Sequence, residues 1–368
     1  MSNPCKQRRF VSHGGDVWGF SRKYKIPLER VLDFSGPVNF LGPSPKAVEA
    51  VREYARLMKF YPDPNPVDLR LEIAKYVGEG VDEANIILGN GSIELIYMIT
   101  EIFPCGFKAV IPVPSFTEYE KAVLRVHGEA VFVQLPRDFN LETEKIKKAL
   151  TDGTRIVYIC NPHSPSGKLF HKEPVVDLVE FCNKKDVIVS IDENYIEFSD
   201  KCAEATMAGY VHKYENLFVI RSVTKFYGMP GIRFGYGIAA KNLKEELETV
   251  RQPWSINTLA GYATLAAFKD KEFIANTKRT IAEERAKFAK MLGEIGGLLV
   301  FPSETDFLLV KILNKRITST CLRDKLADKG ILIRDCSTFV GLDDSFFRVT
   351  VRASDVNAKL VTAIRSVL

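Results

Sequence analysis

The stretch Ser222-Val223-Thr224-Lys225-Phe226-Tyr227-Gly228-Met229-Pro230-Gly231-Ile232-Arg233-Phe234-Gly235-Tyr236 decides how this chain is read. It follows Leu217-Phe218-Val219-Ile220-Arg221, an apolar run with the length of a buried strand. A hydroxyl three residues before Lys225 and an arginine eight after it fit a lysine held beside a bound phosphate. The glycines and Pro230 between them let the backbone turn closely past such a ligand. A lysine partly withdrawn from water and set among other cations loses its proton more readily, and the free amine condenses with an aldehyde. Most lysines at strand ends are solvated and inert, so partners must come from elsewhere in the chain.

At 368 residues the chain exceeds one ordinary core, and two domains are expected. Its 46% hydrophobic and 26% charged residues are those of a soluble globular protein. Lys and Arg number 51 against 46 Asp and Glu, a net charge of +5 spread along the chain. No block of like charge and no basic stripe interleaved with aromatics points to nucleic acid. No apolar run approaches the length that crosses a bilayer. Met1 to Phe10 are polar and basic with no apolar core behind them, so no secretory leader is expected. The cysteines at 5, 105, 160, 182, 202, 321 and 336 are widely spaced with no CxxC pair. Neither a metal site nor a disulfide framework is expected, and scattered thiols fit a reducing cytoplasm.

Residues 1–45 read as an arm with a short helix near Val17–Tyr24. It carries His13-Gly14-Gly15 and Asp33-Phe34-Ser35-Gly36-Pro37-Val38-Asn39, dense in turn residues. A helix capped by Ser44 begins at Pro45 and runs to about Met58. Tyr61-Pro62-Asp63-Pro64 is a rigid turn before a helix from Pro66 to Val77. Ile86-Ile87-Leu88-Gly89-Asn90-Gly91-Ser92 reads as strand, glycine turn and helix start, and the N–H groups of such a start bind phosphate. Ala109–Val113, Ala130–Gln134, Arg155–Cys160, Val187–Asp192 and Leu217–Ile220 then read as strands, with helices over Thr117–His127 and Val175–Lys184. This alternation predicts a mostly parallel sheet covered on both faces, with ligands at the carboxyl ends of its strands. Asn161, Asp192 and Lys225 fall there. Past Gln252 come helices over Ile256–Phe268 and Phe273–Gly293, then strands Thr305–Ile312, Ile331–Asp335 and Phe346–Val351 around a helix near Thr318–Lys329. A last helix spans Ser354–Val367. The expected organisation is an arm (1–45) serving the active site, a large domain (46–252) and a smaller α/β domain (253–368).

Residues after separate strands meet the needs of a pyridine cofactor. An unpaired carboxylate at Asp192, closing an apolar strand, is costly, and a pyridinium N–H is a partner that offsets the cost. Asn161 and Tyr195 can donate to a phenolic ring oxygen, and Phe116 can stack on the ring. Each alone has a plainer explanation as cap, turn or core. Together with Ser222, Lys225 and Arg233 they point to the cofactor that combines aldehyde, phosphate and pyridine ring: pyridoxal 5′-phosphate (PLP).

On Asn161-Pro162, Asp192-Glu193-Asn194-Tyr195, Ser222-Val223-Thr224-Lys225, Arg233 and Arg348, the chain resembles the fold-type I PLP enzymes of the aminotransferase class I/II family over nearly its whole length. The resemblance implies an α/β fold with a large, mostly parallel sheet between helices and a smaller C-terminal α/β domain. It implies that Lys225 carries the cofactor covalently, that Asp192 holds the pyridine nitrogen, and that Asn161 and Tyr195 bind the ring oxygen, with Lys225, Asp192 and Tyr195 as catalytic residues. Ser222, Arg233 and the Gly91-Ser92 turn would bind the phosphate. Tyr61 would reach the phosphate of a neighbouring subunit in a homodimer.

Within the family, Tyr61-Pro62-Asp63-Pro64 and Asn90-Gly91-Ser92 are similar to histidinol-phosphate aminotransferases. The arm's His13-Gly14-Gly15, Leu32-Asp33-Phe34-Ser35, Thr224-Lys225-Phe226-Tyr227 and Gln252-Pro253-Trp254-Ser255-Ile256-Asn257 look like threonine-phosphate decarboxylases, which make aminopropanol phosphate for the nucleotide loop of cobalamin. That likeness implies substrate contacts from His13, Gly14, Asn161, Arg334 and Arg348. One departure is Pro37, where the decarboxylase pattern has Asn; proline offers neither a side-chain hydrogen bond nor an N–H. The expected reaction is decarboxylation of L-threonine O-3-phosphate, with phosphoserine as a variant substrate. The alternatives are an aminotransferase for histidinol phosphate or an aromatic amino acid, and a PLP-binding protein without activity.

Overall fold

The apolar run before Lys225 is a strand, Leu217–Ser222, buried at every position. In the computed structural model, which describes residues 13–314 and 316–368, it lies inside a 7-stranded sheet. The order across that sheet is Ile86–Gly89, Gly235–Ala239, Leu217–Ser222, Ile188–Asp192, Thr154–Cys160, Lys108–Val113 and Glu129–Gln134. Gly235–Ala239 runs against both neighbours, and the other pairings are parallel.

Alternation along the strands divides the side chains between two cores. Val157, Ile159, Val189, Ile191 and Val219 enter one apolar cluster, whereas Ile156, Tyr158, Phe218 and Ile220 enter the other. Covered on both faces, the strands read as continuous apolar runs, as parallel sheets do. Register then levels the strand ends: Cys160 pairs with Asp192, and Asp192 with Ile220. The loops that follow carry the polar residues to one edge.

A second, 4-stranded sheet joins Arg334–Asp335, Phe346–Thr350, Phe307–Ile312 and Leu298–Val300, antiparallel throughout. Leu32–Asp33, from the segment before Pro45, pairs in parallel with Ile331–Leu332. The expected strand Ile331–Asp335 is therefore two short strands parted at Ile333, each with its own partner. The described part of the arm holds the expected helix Val17–Tyr24; residues 1–12 lie outside the described residues. Ser44 caps Pro45–Tyr54 by accepting from the N–H groups of Lys46 and Ala47. That helix ends earlier than expected and tightens into a 3-10 turn over Ala55–Lys59. The strand Gly235–Ala239 and the helices Thr143–Ala149 and Lys241–Val250 were not anticipated. No described helix is long and apolar enough to cross a membrane.

Candidate active site

At the carboxyl edge of the large sheet, beside the small one, opens a cavity of about 450 Å³. His13, Gly14, Ser92, Phe116, Asp192, Tyr195, Lys225, Arg233, Arg334 and Arg348 all line it, with Pro37 and Ser164. Lys225 sits just past Leu217–Ser222. Its carbonyl accepts from the N–H of Asn39 (3.1 Å) and of Gly228 (3.2 Å), which pins the loop to the arm. The Lys225 amine lies 5.8 Å from the Tyr195 ring centre. Burial lowers its pKa to about 8; Arg348 and Arg233 push the same way, while Asp306 and Asp192 oppose. An amine that sheds its proton near neutral pH is what condensation with an aldehyde requires.

Asp192 ends the neighbouring strand, 6% exposed. The Tyr119 hydroxyl donates to one carboxylate oxygen (2.7 Å); the backbone and side-chain N–H groups of Asn194 donate to the other (3.0 and 2.6 Å). Burial pushes this carboxyl up from its ordinary value, against those hydrogen bonds and the charge of Lys225. Glu193, buried next to it, pairs with Arg221 at 2.9 Å, whereas Asp192 lines the cavity.

The Gly91–Ser92 turn abuts Arg233. Gly91 has φ +80°, and a Cβ there would fall 2.4 Å from an Arg233 guanidinium nitrogen, so glycine is required. Arg233, itself at φ 57°, donates to the carbonyl of Pro230. The helix Ser92–Glu101 points its first N–H groups toward this corner. Ser222 is buried, and its hydroxyl accepts from the Thr224 N–H at 3.3 Å.

Arg334 and Arg348 stand directly opposite each other in antiparallel strands. Arg348 donates to the Ser164 hydroxyl (3.0 Å) and packs over the Phe307 ring; Arg334 packs over Phe339 and donates to Thr338. Burial lowers the Arg334 pKa to about 10, and the charge of Arg348 adds to the effect. Like charges facing each other across strands repel, and an anion between them relieves the repulsion.

From the arm, His13 contacts Glu118 at 2.7 Å, and Glu118 also accepts from Tyr97 (2.7 Å) and Lys121 (2.5 Å). Burial raises the Glu118 carboxyl, but His13, Lys121 and Tyr97 outweigh it and leave the pKa at about 2. The Ser35 hydroxyl accepts from the Gly15 N–H at 2.7 Å, which sets Gly14 at the cavity wall. Phe116 lies edge-on to Tyr119. Asn161 is fully buried, and its carboxamide is tied at both ends to the backbone of Phe170 (2.8 and 3.3 Å), with one N–H left to give. Tyr61 is 82% exposed, packs against Trp254 and does not line this cavity.

Sequence reasoning missed Tyr119, Asn39, Ser164 and Glu118. The motif Asp192-Glu193-Asn194 carries the signal for Asn194, because Asp-x-Asn at a strand end is a turn in which one side chain holds the other.

These residues fit PLP: an amine with lowered pKa, a carboxylate held toward the same cavity, and an N–H-rich corner beside an arginine. Among the described residues no group of His, Cys, Asp or Glu is arranged to hold a metal. The family described as aminotransferase class I and II matches residues 31–367. A protein provisionally named threonine-phosphate decarboxylase, from Caldanaerobacter subterraneus subsp. tengcongensis, is 36% identical over 96% of this chain and 93% of its own. The crystal structure of the histidinol-phosphate aminotransferase from Clostridium acetobutylicum is similar at 33% identity and TM-score 0.85, over 92% of this chain and 99% of that one. The enzyme of that name from Sinorhizobium meliloti, solved in complex with pyridoxal-5′-phosphate, shares the fold at TM-score 0.87 and 21% identity over 99% of both chains. This chain belongs to the aminotransferase class I and II family, and its cofactor is pyridoxal 5′-phosphate.

Proposed function

We propose that this enzyme decarboxylates an O-phospho-amino acid. The substrate is L-threonine O-3-phosphate, and the amine product is (R)-1-aminopropan-2-yl phosphate, the building block of the cobamide nucleotide loop. The observation that carries this reading is the cross-strand pair Arg334–Arg348 on the cavity wall, with His13 close by. Two guanidinium groups suit a substrate with two anions, its carboxylate on Arg348 and its phosphate toward Arg334 and His13.

When bound, PLP supplies an aldehyde that joins the substrate amine and a ring that accepts the electron pair of the broken bond. Asp192, oriented by Tyr119 and Asn194, would hold the ring nitrogen. Tyr195 and Asn161 would serve the ring oxygen, Phe116 would pack against the ring, and Gly91-Ser92, Ser222 and Arg233 would take the phosphate. Arg348 fixes the α-carboxylate and so selects which bond at the α-carbon breaks. Lys225 returns a proton to that carbon. Tyr61, exposed beside Phe60, Met58 and Trp254, fits a homodimer in which it serves the partner's site.

The identity to the Clostridium aminotransferase favours a second reading, amino transfer to or from histidinol phosphate. Incubating the PLP-loaded enzyme with O-phospho-L-threonine separates the two. Release of CO2 with one equivalent of the amine is expected. No CO2 from this substrate, together with a 2-oxo acid product or transfer from histidinol phosphate, replaces the first reading with the second.

A further inference from the structure

Glu118 opens the helix Glu118–Arg125 and lines the active-site cavity, where a bare carboxylate would repel an anionic substrate. It is 8% exposed, and three side chains engage it. The His13 Nε2 lies 2.7 Å from Oε1, the Lys121 ammonium donates to the same oxygen (2.5 Å), and the Tyr97 hydroxyl donates to Oε2 (2.7 Å). His13 Nε2 is also 3.3 Å from the Lys121 nitrogen, which can only donate. The shorter contact decides the assignment. A carboxylate only accepts, so Nε2 carries a proton and donates it to Glu118.

The backbone beside His13 is held separately. The Ser35 hydroxyl accepts from the Gly15 N–H (2.7 Å) and donates to Asp33 (2.7 Å). A Cβ at Gly14 would fall 2.1 Å from the Ser35 carbonyl oxygen, so the two segments touch backbone to backbone. Phe116, two residues before Glu118, also lines the cavity, its ring centre 6.0 Å from that of His13. One short segment therefore carries a ring for the cofactor and a carboxylate for the arm. We propose that Glu118 is a positioning residue that holds the His13 imidazole on the cavity wall, so that the arm presents it to the substrate's phosphate. The tether stands on the geometry; its use in binding rests on the decarboxylase reading.

An untethered imidazole loses rotamer freedom each time a phosphate binds; held by Glu118, it loses that freedom on folding instead. The Lys121 ammonium on the same carboxylate offsets its charge, so Glu118 does not repel the phosphate it helps to bind. Glu118 touches no reacting atom in this scheme. Its loss therefore weakens substrate binding and leaves the chemical step alone, which raises KM and holds kcat. Because it acts through His13, its effect vanishes when the imidazole is absent. A carboxylate that gripped the substrate amine directly would act whether or not His13 were present.

The full-length protein, stripped of cofactor, is treated with diethyl pyrocarbonate, and ethoxycarbonylation of each histidine is read by peptide mass spectrometry. The His13 side chain is 46% exposed, yet it should react more slowly than the exposed His127 and His171. Equal rates overturn the tether, in a measurement that needs no variant. Glu118→Gln removes the charge at nearly constant shape. It should speed labelling of His13 about tenfold and leave His127 and His171 unchanged; no acceleration also overturns the tether. In the PLP-loaded enzyme given O-phospho-L-threonine, Glu118→Gln should raise KM about tenfold while kcat changes less than about twofold. In a His13→Ala background the same substitution should change KM less than about twofold. Additive losses, or a fall in kcat at unchanged KM, refute the positioning role. Failure of the wild type to release CO2 refutes the decarboxylase reading, whereas the labelling rates still decide the tether.

Discussion

Asp192 is oriented by its protein neighbours: Tyr119 on one oxygen and Asn194 on the other hold the carboxylate in a fixed plane. Hydrogen bonds to a charged acceptor contribute about 1.5–3 kcal/mol each. Tyr119→Phe removes one donor and keeps the ring that stacks on Tyr158. The variant should fold normally and bind PLP about tenfold more weakly, measured by equilibrium dialysis of the cofactor; unchanged affinity would mean that Asn194 alone orients the carboxylate. Lys225, Asp192 and Arg233 were legible in the sequence because each belongs to a short local pattern, a strand end or the turn residues that follow it. Tyr119 was not: it lies 73 positions from Asp192, on a helix whose face toward the site is set only by packing. Asn39, whose amide reaches the Phe226 carbonyl 187 positions away, was hidden for the same reason.

Among the elements, the parallel strands were legible because burial on both faces leaves continuous runs of β-branched and apolar residues. Gly235-Tyr236-Gly237-Ile238-Ala239 was not, because its glycines read as a loop. They are there for close approach. A Cβ at Gly237 would fall 2.3 Å from the Phe218 ring, which fills the space beside that strand. Gly237→Ala should therefore destabilise the fold by about 1–3 kcal/mol in denaturant unfolding, the cost of overpacking. A loss below about 0.5 kcal/mol would mean that the Phe218 ring can move aside. The helix Lys241–Val250 escaped notice because its two buried residues, Leu243 and Leu247, sit among charged ones. The split of Ile331–Asp335 follows from tertiary pairing, which no local propensity encodes.

At the scale of the whole molecule, folding places ionisable groups where their charge is costly, and stability acquires a pH dependence. Glu197 is buried, and among the described residues one of its oxygens lacks a donor. Burial raises its pKa from 4.5 to about 7, Arg221 drawing it down and Glu193 pushing it up. A raised folded pKa means that the native state holds the proton more tightly. The contribution is full below about pH 4.5 and is lost as the pH rises through 7. Glu197→Gln should therefore gain on wild type by on the order of 2–3 kcal/mol between pH 5 and 8, read from unfolding midpoints. A pH-independent difference would place the titration elsewhere.

The account stands on Lys225 as the residue that carries the cofactor. Reduction of the PLP-treated protein with borohydride, followed by peptide mass mapping, tests this directly. One pyridoxyl phosphate per chain on Lys225, lost in Lys225→Ala, is the predicted result; the label on another lysine, or none at saturating PLP, would contradict it.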